Sequence, residues 1–347
     1  MKKFLSCILG MVLLSTIILL PLGCGSKKKE LRIYNWGDYM DKDLIKEFEN
    51  RTNIKVRYNE FATNEEMYVK LKNSPGQYDL AIPSDYMITK MVNEGLLEKI
   101  DFNNIKNYAQ IDSRFKHLPF DPNNEYSVPY MWGTLGIIYN TKMIKDEITS
   151  WNDIWNPKYK GQILMLDSQR DSIGIALKKL GYSVNSKNTN ELNKAKEELM
   201  KQKPLVYAYV GDEVKDQMVE GEAAIAVVWS GDALTMMENN ENLEYVIPKE
   251  GTNLWFDNMV IPKGSEHKKE AEMFINFMTE AEISKKNVEY IGYSTPNKEA
   301  QKLLPKEIIE NPTAYPSDEV IKKSEVFIDL GNFIKEYDKV WTNVKAK

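Results

Sequence analysis

The sequence predicts an α/β protein of two lobes, with a ligand cleft at the carboxyl ends of its strands. Three observations predict it. Past an apolar leader the chain keeps about 320 of its 347 residues, more than one hydrophobic core usually organises, so two lobes are expected. Strand and helix signals alternate along that body, the pattern of an α/β fold. Large aromatics and carboxylates recur together where strands end, and in open α/β sheets that is where ligands bind.

The leader comes first. Lys2 and Lys3 precede an uncharged, apolar run from Phe4 to Leu20, followed by Pro21-Leu22-Gly23-Cys24. A short basic end, an apolar core and small residues at a cleavage point are the parts of an export signal, assigned to 1–23. Cys24 after Gly23 resembles the lipobox of bacterial lipoproteins, which implies that Cys24 is lipidated and begins the mature chain. Pro21 stands where a Leu is usual. The alternative is a lone transmembrane anchor, since the run approaches the ~20 residues that span a bilayer. Residues 24–29 then read as a lipidated polar tether.

The body follows in order. Leu31-Arg-Ile-Tyr34 reads as a strand, and 43–50 as a helix with Leu44, Ile45 and Phe48 on one face. Residues 54–58 alternate as a strand, 65–72 read as a helix and 79–82 as a third strand. A helix from Asp85 is expected to end at Gly95 in a left-handed cap. Further on, 162–166 is a strand and 173–180 a helix stopped by Gly181. The apolar run 223–229 is a buried strand, with Asp232 read as the cap of the next helix. Beyond Lys268 the chain is mostly helical. Trp151 and Trp155, at helical spacing, are assigned to packing.

Composition narrows the function. A hydrophobic fraction of 42% and a charged fraction of 28% are ordinary for a globular body. The formal charge of −5 becomes −7 once Lys2 and Lys3 leave with the leader, which argues against nucleic acid and favours cations. The only cysteines are Cys7 and Cys24, so the mature body has no disulfide and no thiolate chemistry. His117 and His267 are far apart and read as surface packing, so no metal or cofactor is expected.

The strand-end segments are Tyr34-Asn-Trp-Gly-Asp-Tyr39, Pro83-Ser-Asp-Tyr86, Asp167-Ser-Gln-Arg-Asp171, Trp229-Ser-Gly-Asp232, Trp255-Phe-Asp257 and Ile291-Gly-Tyr-Ser-Thr-Pro296. Aromatic faces attract ammonium groups, at ~0.5–2 kcal/mol each, and cover methylenes. Carboxylates accept charge-assisted hydrogen bonds from amines. Together they suit an organic cation with an apolar spine. Arg170 has no place beside a cation and is expected to pair with an acid.

With these segments, Tyr78-Asp-Leu-Ala-Ile-Pro-Ser84, Pro119-Phe-Asp-Pro-Asn-Asn124, Tyr126-Ser-Val-Pro-Tyr-Met-Trp-Gly133 and Leu177-Lys-Lys-Leu-Gly-Tyr-Ser183, the chain resembles the spermidine/putrescine-binding proteins of bacterial ABC transporters. The resemblance runs from about Leu31 to the C-terminus. It implies a two-lobed fold of the periplasmic-binding-protein kind (type II), with lobe one at 30–134 plus 258–302 and lobe two at 135–257 plus 303–347. It implies aromatic walls at Trp36, Tyr39, Tyr86, Trp229, Trp255 and Tyr293, and polar contacts at Asp38, Ser84, Asp171 and Asp257. Ser168 replaces an acidic ligand residue of the family, with Asp167 beside it, and Phe327 replaces a Gln.

The function expected is non-enzymatic: an exported, lipid-anchored protein closes around spermidine or putrescine and hands it to permease subunits. Rivals are a binder of thiamine or ferric iron, a polyamine sensor, and a secreted glycosidase with a close carboxylate pair.

Overall fold

The computed structural model describes residues 29–346. The export signal, Cys7 and the lipidation site Cys24 lie outside the described residues.

Two groups of strands share one long strand. In the first, β1 (Glu30–Trp36) lies between β2 (Lys55–Phe61) and β3 (Leu80–Ala81), all parallel. In the second, β5 (Ile163–Leu166) is parallel to β6 (Val206–Val210) and to β7 (Ile225–Trp229). The shared strand is β4 (Ser127–Asn140). Its first half pairs antiparallel with β9 (Asn253–Val260), which also pairs with β3. Its second half pairs antiparallel with β7 and with β8 (Leu243–Val246). β4 changes partner between Thr134, opposite Leu254, and Leu135, opposite Trp229. A short β10 (Glu325–Val326) then returns to pair with β9.

Period-two alternation sorts β1 across its sheet: Leu31 and Ile33 enter one buried cluster, Tyr34 the other. Helices close those faces. The helix α1 (Lys42–Thr52) starts where Asp41 accepts from the Asp43 N–H and buries Leu44 and Phe48, as the spacing predicts. Next come α2 (Asn64–Asn73) and α3 (Asp85–Asn93), which ends just before Gly95 at φ 68°. The helix α4 (Gln169–Lys179) stops before Gly181 at φ 78°, and it packs with α5 (Thr189–Gln202) and the C-terminal helix Ile334–Ala346 around Ile173, Leu199 and Tyr337. Trp151 is fully buried in the second sheet's core, as packing requires.

The expected boundary at 134/135 coincides with the partner change in β4. Residues 254–257 pair with the first half of β4, while Leu304 packs in the core beneath β1.

Two sequence readings need correction, and several elements went unread. Strands β4, β6, β8 and β9 and helix α5 were not identified from the sequence; β4 offers no alternation to read, because all fourteen of its residues are buried. Pro129 sits where the register of β4 shifts against β9, a tolerated place for a strand proline. Asp232 does not cap a helix: the cap position of α7 (Ser230–Asn239), which follows α6 (Val214–Glu220), is Trp229, and Asp232 lies buried in the first turn. Arg170, 5% exposed, has no acidic partner within salt-bridge distance among the described residues. Its guanidinium donates to the Ile328 carbonyl and to Asn185 and lies 4.3 Å from the Phe327 ring centroid, so aromatic faces do the work expected of an acid.

Candidate functional site

The partner change in β4 fixes the site. Trp255 of β9 lies opposite Gly133, two residues before Trp229 of β7 meets Leu135. A Cβ at Gly133 would overlap the Trp255 indole, so the glycine lets that ring lie across the strand. In β9, Trp255 and Asp257 share a face because side chains alternate, while Phe256 points into the opposite core. Trp229 packs against cores of both sheets. The carboxyl ends of β1, β3, β5 and β7 all lead toward this crossing.

Asp257, 6% exposed, is the centre of the first cluster. The Tyr39 hydroxyl donates to one of its oxygens at 2.7 Å and the Ser84 hydroxyl to the other at 2.6 Å. Burial pushes its carboxyl up to about 6, although both hydrogen bonds favour the ionised form. The Tyr39 ring stands edge-on to Tyr293 at 5.4 Å, and Tyr293 edge-on to Trp255 at 5.2 Å. Burial holds the phenols of Tyr39 and Tyr293 well above their usual range, so both are neutral hydrogen-bond donors.

Ser84 leads directly into the second cluster. Its neighbour Asp85 is fully buried and accepts from the Phe256 N–H at 3.1 Å, which ties α3 to β9. Burial drives the Asp85 carboxyl well upward. Tyr86 follows, with its hydroxyl between Asn64 and Glu65. Its ring faces Phe327 edge-on at 6.4 Å and the Arg170 guanidinium at 5.6 Å. Asp171, 7% exposed, accepts from the Ser168 hydroxyl at 2.7 Å, and its other oxygen has no hydrogen-bond partner among the described residues. Burial raises this carboxyl to about 6 as well. Ser168, the N-cap of α4, therefore orients Asp171.

Two predicted residues stand apart. Asp38 is exposed in a left-handed turn at φ 46°, with no hydrogen bond or ion pair from its side chain among the described residues. Trp36 is half-buried and packs on Phe61, with ring centroids 4.6 Å apart. Asp167 does not stand in for the acid that Ser168 replaces, because it pairs with Lys345 at the surface. Sequence reasoning missed Asp232 as a site neighbour. It is buried, lies against Tyr293, and its pKa is pushed up to about 6 by that burial. The signal was its segment, Trp229-Ser-Gly-Asp232, which has the same aromatic-then-carboxylate form as the others.

Chemically, the arrangement offers ring faces, neutral hydroxyl donors and desolvated carboxylates. Among the described residues, no group of three or more His, Cys, Asp or Glu is placed to hold a metal ion.

The family model described as bacterial extracellular solute-binding protein matches residues 43–316. A spermidine/putrescine-binding periplasmic protein of Salmonella typhimurium is 40% identical, covering 92% of this chain and 93% of that one. Its Escherichia coli counterpart is 39% identical, covering 91% of each. Among solved structures, a spermidine/putrescine ABC transporter substrate-binding protein from Streptococcus pneumoniae superposes with a TM-score of 0.83 at 44% identity, over 92% of this chain and 99% of that one. The Tp0655 lipoprotein of Treponema pallidum gives a TM-score of 0.86 at 30% identity, over 92% of this chain and all of that one. The mixed α/β fold is thus that of the two-lobed periplasmic binding proteins, and the protein is an extracellular binder, not an enzyme. The chain belongs to the bacterial extracellular solute-binding proteins, in the branch that holds the spermidine/putrescine-binding proteins.

Proposed function

We propose that this protein binds a linear polyamine, spermidine or putrescine, between two lobes and delivers it to the permease subunits of an ABC transporter. One observation carries the reading: Asp257 and Asp171 are buried beside aromatic rings with no Arg, Lys or His in salt-bridge distance among the described residues, and Asp171 keeps an unpaired oxygen. Buried carboxylates are normally paired, so a site built this way is completed by a cation from outside. The relatives named for spermidine and putrescine support the choice of cation.

In this reading Tyr39, Tyr86, Trp229, Trp255, Tyr293 and the half-buried Trp36 cover the methylene spine. Asp257 with Ser84, and Asp171 with Ser168, hold ammonium groups, and Asp38 lies at the rim. On the same reading the lobes are 30–134 plus 258–302 and 135–257 plus 303–347, and the partner change in β4 at 134/135 supports the first boundary. Calorimetric titration with putrescine, spermidine, spermine and thiamine tests the ligand class, and binding of thiamine alone would overturn it.

Reading both ends of a diamine has a consequence. Butylamine would satisfy one carboxylate and strand the other, losing at least the ~1.5–3 kcal/mol of a charged hydrogen bond. Putrescine and spermidine should raise the melting temperature, by up to about 4 kcal/mol of stabilisation at a thousandfold excess over Kd. Butylamine should not. Equal shifts from all three amines in a parallel thermal-shift assay would show that the carboxylates do not read the chain ends.

The lipid anchor is part of the same proposal. Cys24 follows the apolar run and a Gly, and the Treponema relative is itself named a lipoprotein. Cys24→Ala should abolish incorporation of radiolabelled fatty acid into the expressed protein. Label persisting in the variant would place the attachment elsewhere.

A further inference from the structure

We infer that Asn287, a fully buried residue, is the positioning residue of the loop between β1 and α1: its side chain grips the Tyr39–Asp41 backbone at both ends and so sets Tyr39 against Asp257. This rests on the polyamine reading and adds to it a residue that acts through Tyr39 and not on the amine.

The loop carries Asp38 and Tyr39, with Trp36 at its start, yet it has little of its own to hold it. Through their N–H groups, residues 38–41 make no backbone–backbone hydrogen bond among the described residues. The ties come from elsewhere. The Asp41 N–H donates to Asn287 Oδ1 at 3.0 Å, and the Tyr39 carbonyl accepts from the Tyr130 hydroxyl at 2.6 Å. Asn287 Nδ2 donates to that same hydroxyl at 2.7 Å. One side chain thus reaches the segment directly at Asp41 and through Tyr130 at Tyr39.

The sense of this chain of bonds is fixed by chemistry. An N–H can only donate, so the amide oxygen of Asn287 faces Asp41 and its NH2 group faces Tyr130. The Tyr130 hydroxyl accepts from Asn287 and keeps its own hydrogen for the Tyr39 carbonyl. Burial holds that phenol well above its usual range, so the hydrogen stays in place. Asn287 is 0% and Tyr130 4% exposed, so bulk water competes for neither bond. A buried amide costs stability unless its ends are bonded, and among the described residues both bonds of Asn287 leave its own helix.

Packing carries the placement into the cleft. The Tyr130 ring stands edge-on to Tyr39 at 5.5 Å, and the far end of Tyr39 donates to Asp257. Asn287 lies on the helix Ala281–Ile291, which Gly292 ends at φ 75° just before Tyr293. Tyr293 packs on both Tyr39 and Trp255. The helix that leads into one wall of the aromatic box therefore also aligns the loop that carries another.

The test is calorimetric titration of the full protein with spermidine and putrescine, for wild type, Asn287→Leu, Asn287→Asp, Tyr130→Phe and Ile283→Val, each checked by circular dichroism and melting temperature. Asn287→Leu removes both bonds, Asn287→Asp keeps the acceptor for Asp41 and loses the donor to Tyr130, and Tyr130→Phe keeps the ring and loses the relay. Each should weaken spermidine binding about 3- to 10-fold, the scale of one hydrogen bond. Ile283→Val, a core change in the same helix, should lower the melting temperature and leave Kd unchanged. The decisive comparison repeats the Asn287 and Tyr130 changes in a Tyr39→Phe background, which lacks the hydroxyl on Asp257. There each should cost at most about twofold. Losses that multiply instead, or an equal weakening from Ile283→Val, would make Asn287 a residue of the fold as a whole and overturn the assignment. Unchanged Kd in natively folded Asn287→Asp and Tyr130→Phe would overturn it too, even where Asn287→Leu does not fold. Wild type binding neither amine would overturn the polyamine reading, and this assignment with it.

Discussion

Replacing Asp257 by Ala should weaken spermidine binding by ~2–5 kcal/mol, the scale for truncating one partner of a buried charge pair. That is about 30- to 5,000-fold in Kd. The magnitude follows from the residue's surroundings. Asp257 has two hydroxyl donors and no basic neighbour in salt-bridge distance among the described residues, so an ammonium supplies the only full positive charge it can meet. Removing the carboxylate strands that ammonium against neutral phenols, a Ser hydroxyl and an indole. The fold should persist, because Asp257 projects to the sheet crossing while its neighbours Phe256 and Met259 fill the cores. Calorimetry with circular dichroism decides it, and unchanged affinity in a natively folded variant takes Asp257 out of the site.

Much of this site could be seen in the sequence because its chemistry is concentrated at strand ends. Tyr39, Ser84, Trp255, Asp257 and Tyr293 were picked from four separate segments, and the fold brings them within one set of contacts. Elements with one exposed face, such as α1 with Leu44 and Phe48, were equally legible, since solvent imposes a period on them. β4 was not legible for the opposite reason. It is buried on both faces, and its proline and glycines look like strand breakers until their bulge and close-packing roles are known. Asp232 shows a second limit. An acid at the start of a helix reads as a cap from local spacing alone, and only the tertiary approach of Tyr293 gives it another role. Arg170 shows a third, because a cation can be held by rings far away in sequence, here Phe327 and Tyr337.

Without ligand, the cleft should open as pH rises through about 6. Asp171, Asp232 and Asp257 each have a carboxyl pushed to about 6 from an ordinary 3.8, in every case chiefly by burial. Asp85 is pushed upward in the same way, but backbone N–H groups hold it. Opposing these shifts are the Ser168 hydroxyl and then Arg170 at Asp171, Lys215 and the Tyr293 hydroxyl at Asp232, and the hydroxyls of Ser84 and Tyr39 on Asp257. Opening returns the carboxylates to water and their pKa values toward 3.8, so the closed form holds protons more tightly than the open one. The stabilisation of the closed form is therefore full below about pH 4 and is lost as pH rises to about 6. Above that, each ionised carboxylate disfavours closure by ~3 kcal/mol, from roughly two pKa units at 1.36 kcal/mol each. A bound polyamine removes that penalty by pairing the charges, which couples closure to ligand at neutral pH. Small-angle scattering should find the ligand-free protein compact at pH 5 and expanded at pH 8, with spermidine restoring the compact form at pH 8. Asp171→Asn should narrow the difference between the two ligand-free states. A radius of gyration that is the same at both pH values without ligand, or larger at pH 5, would show that these carboxylates do not govern closure.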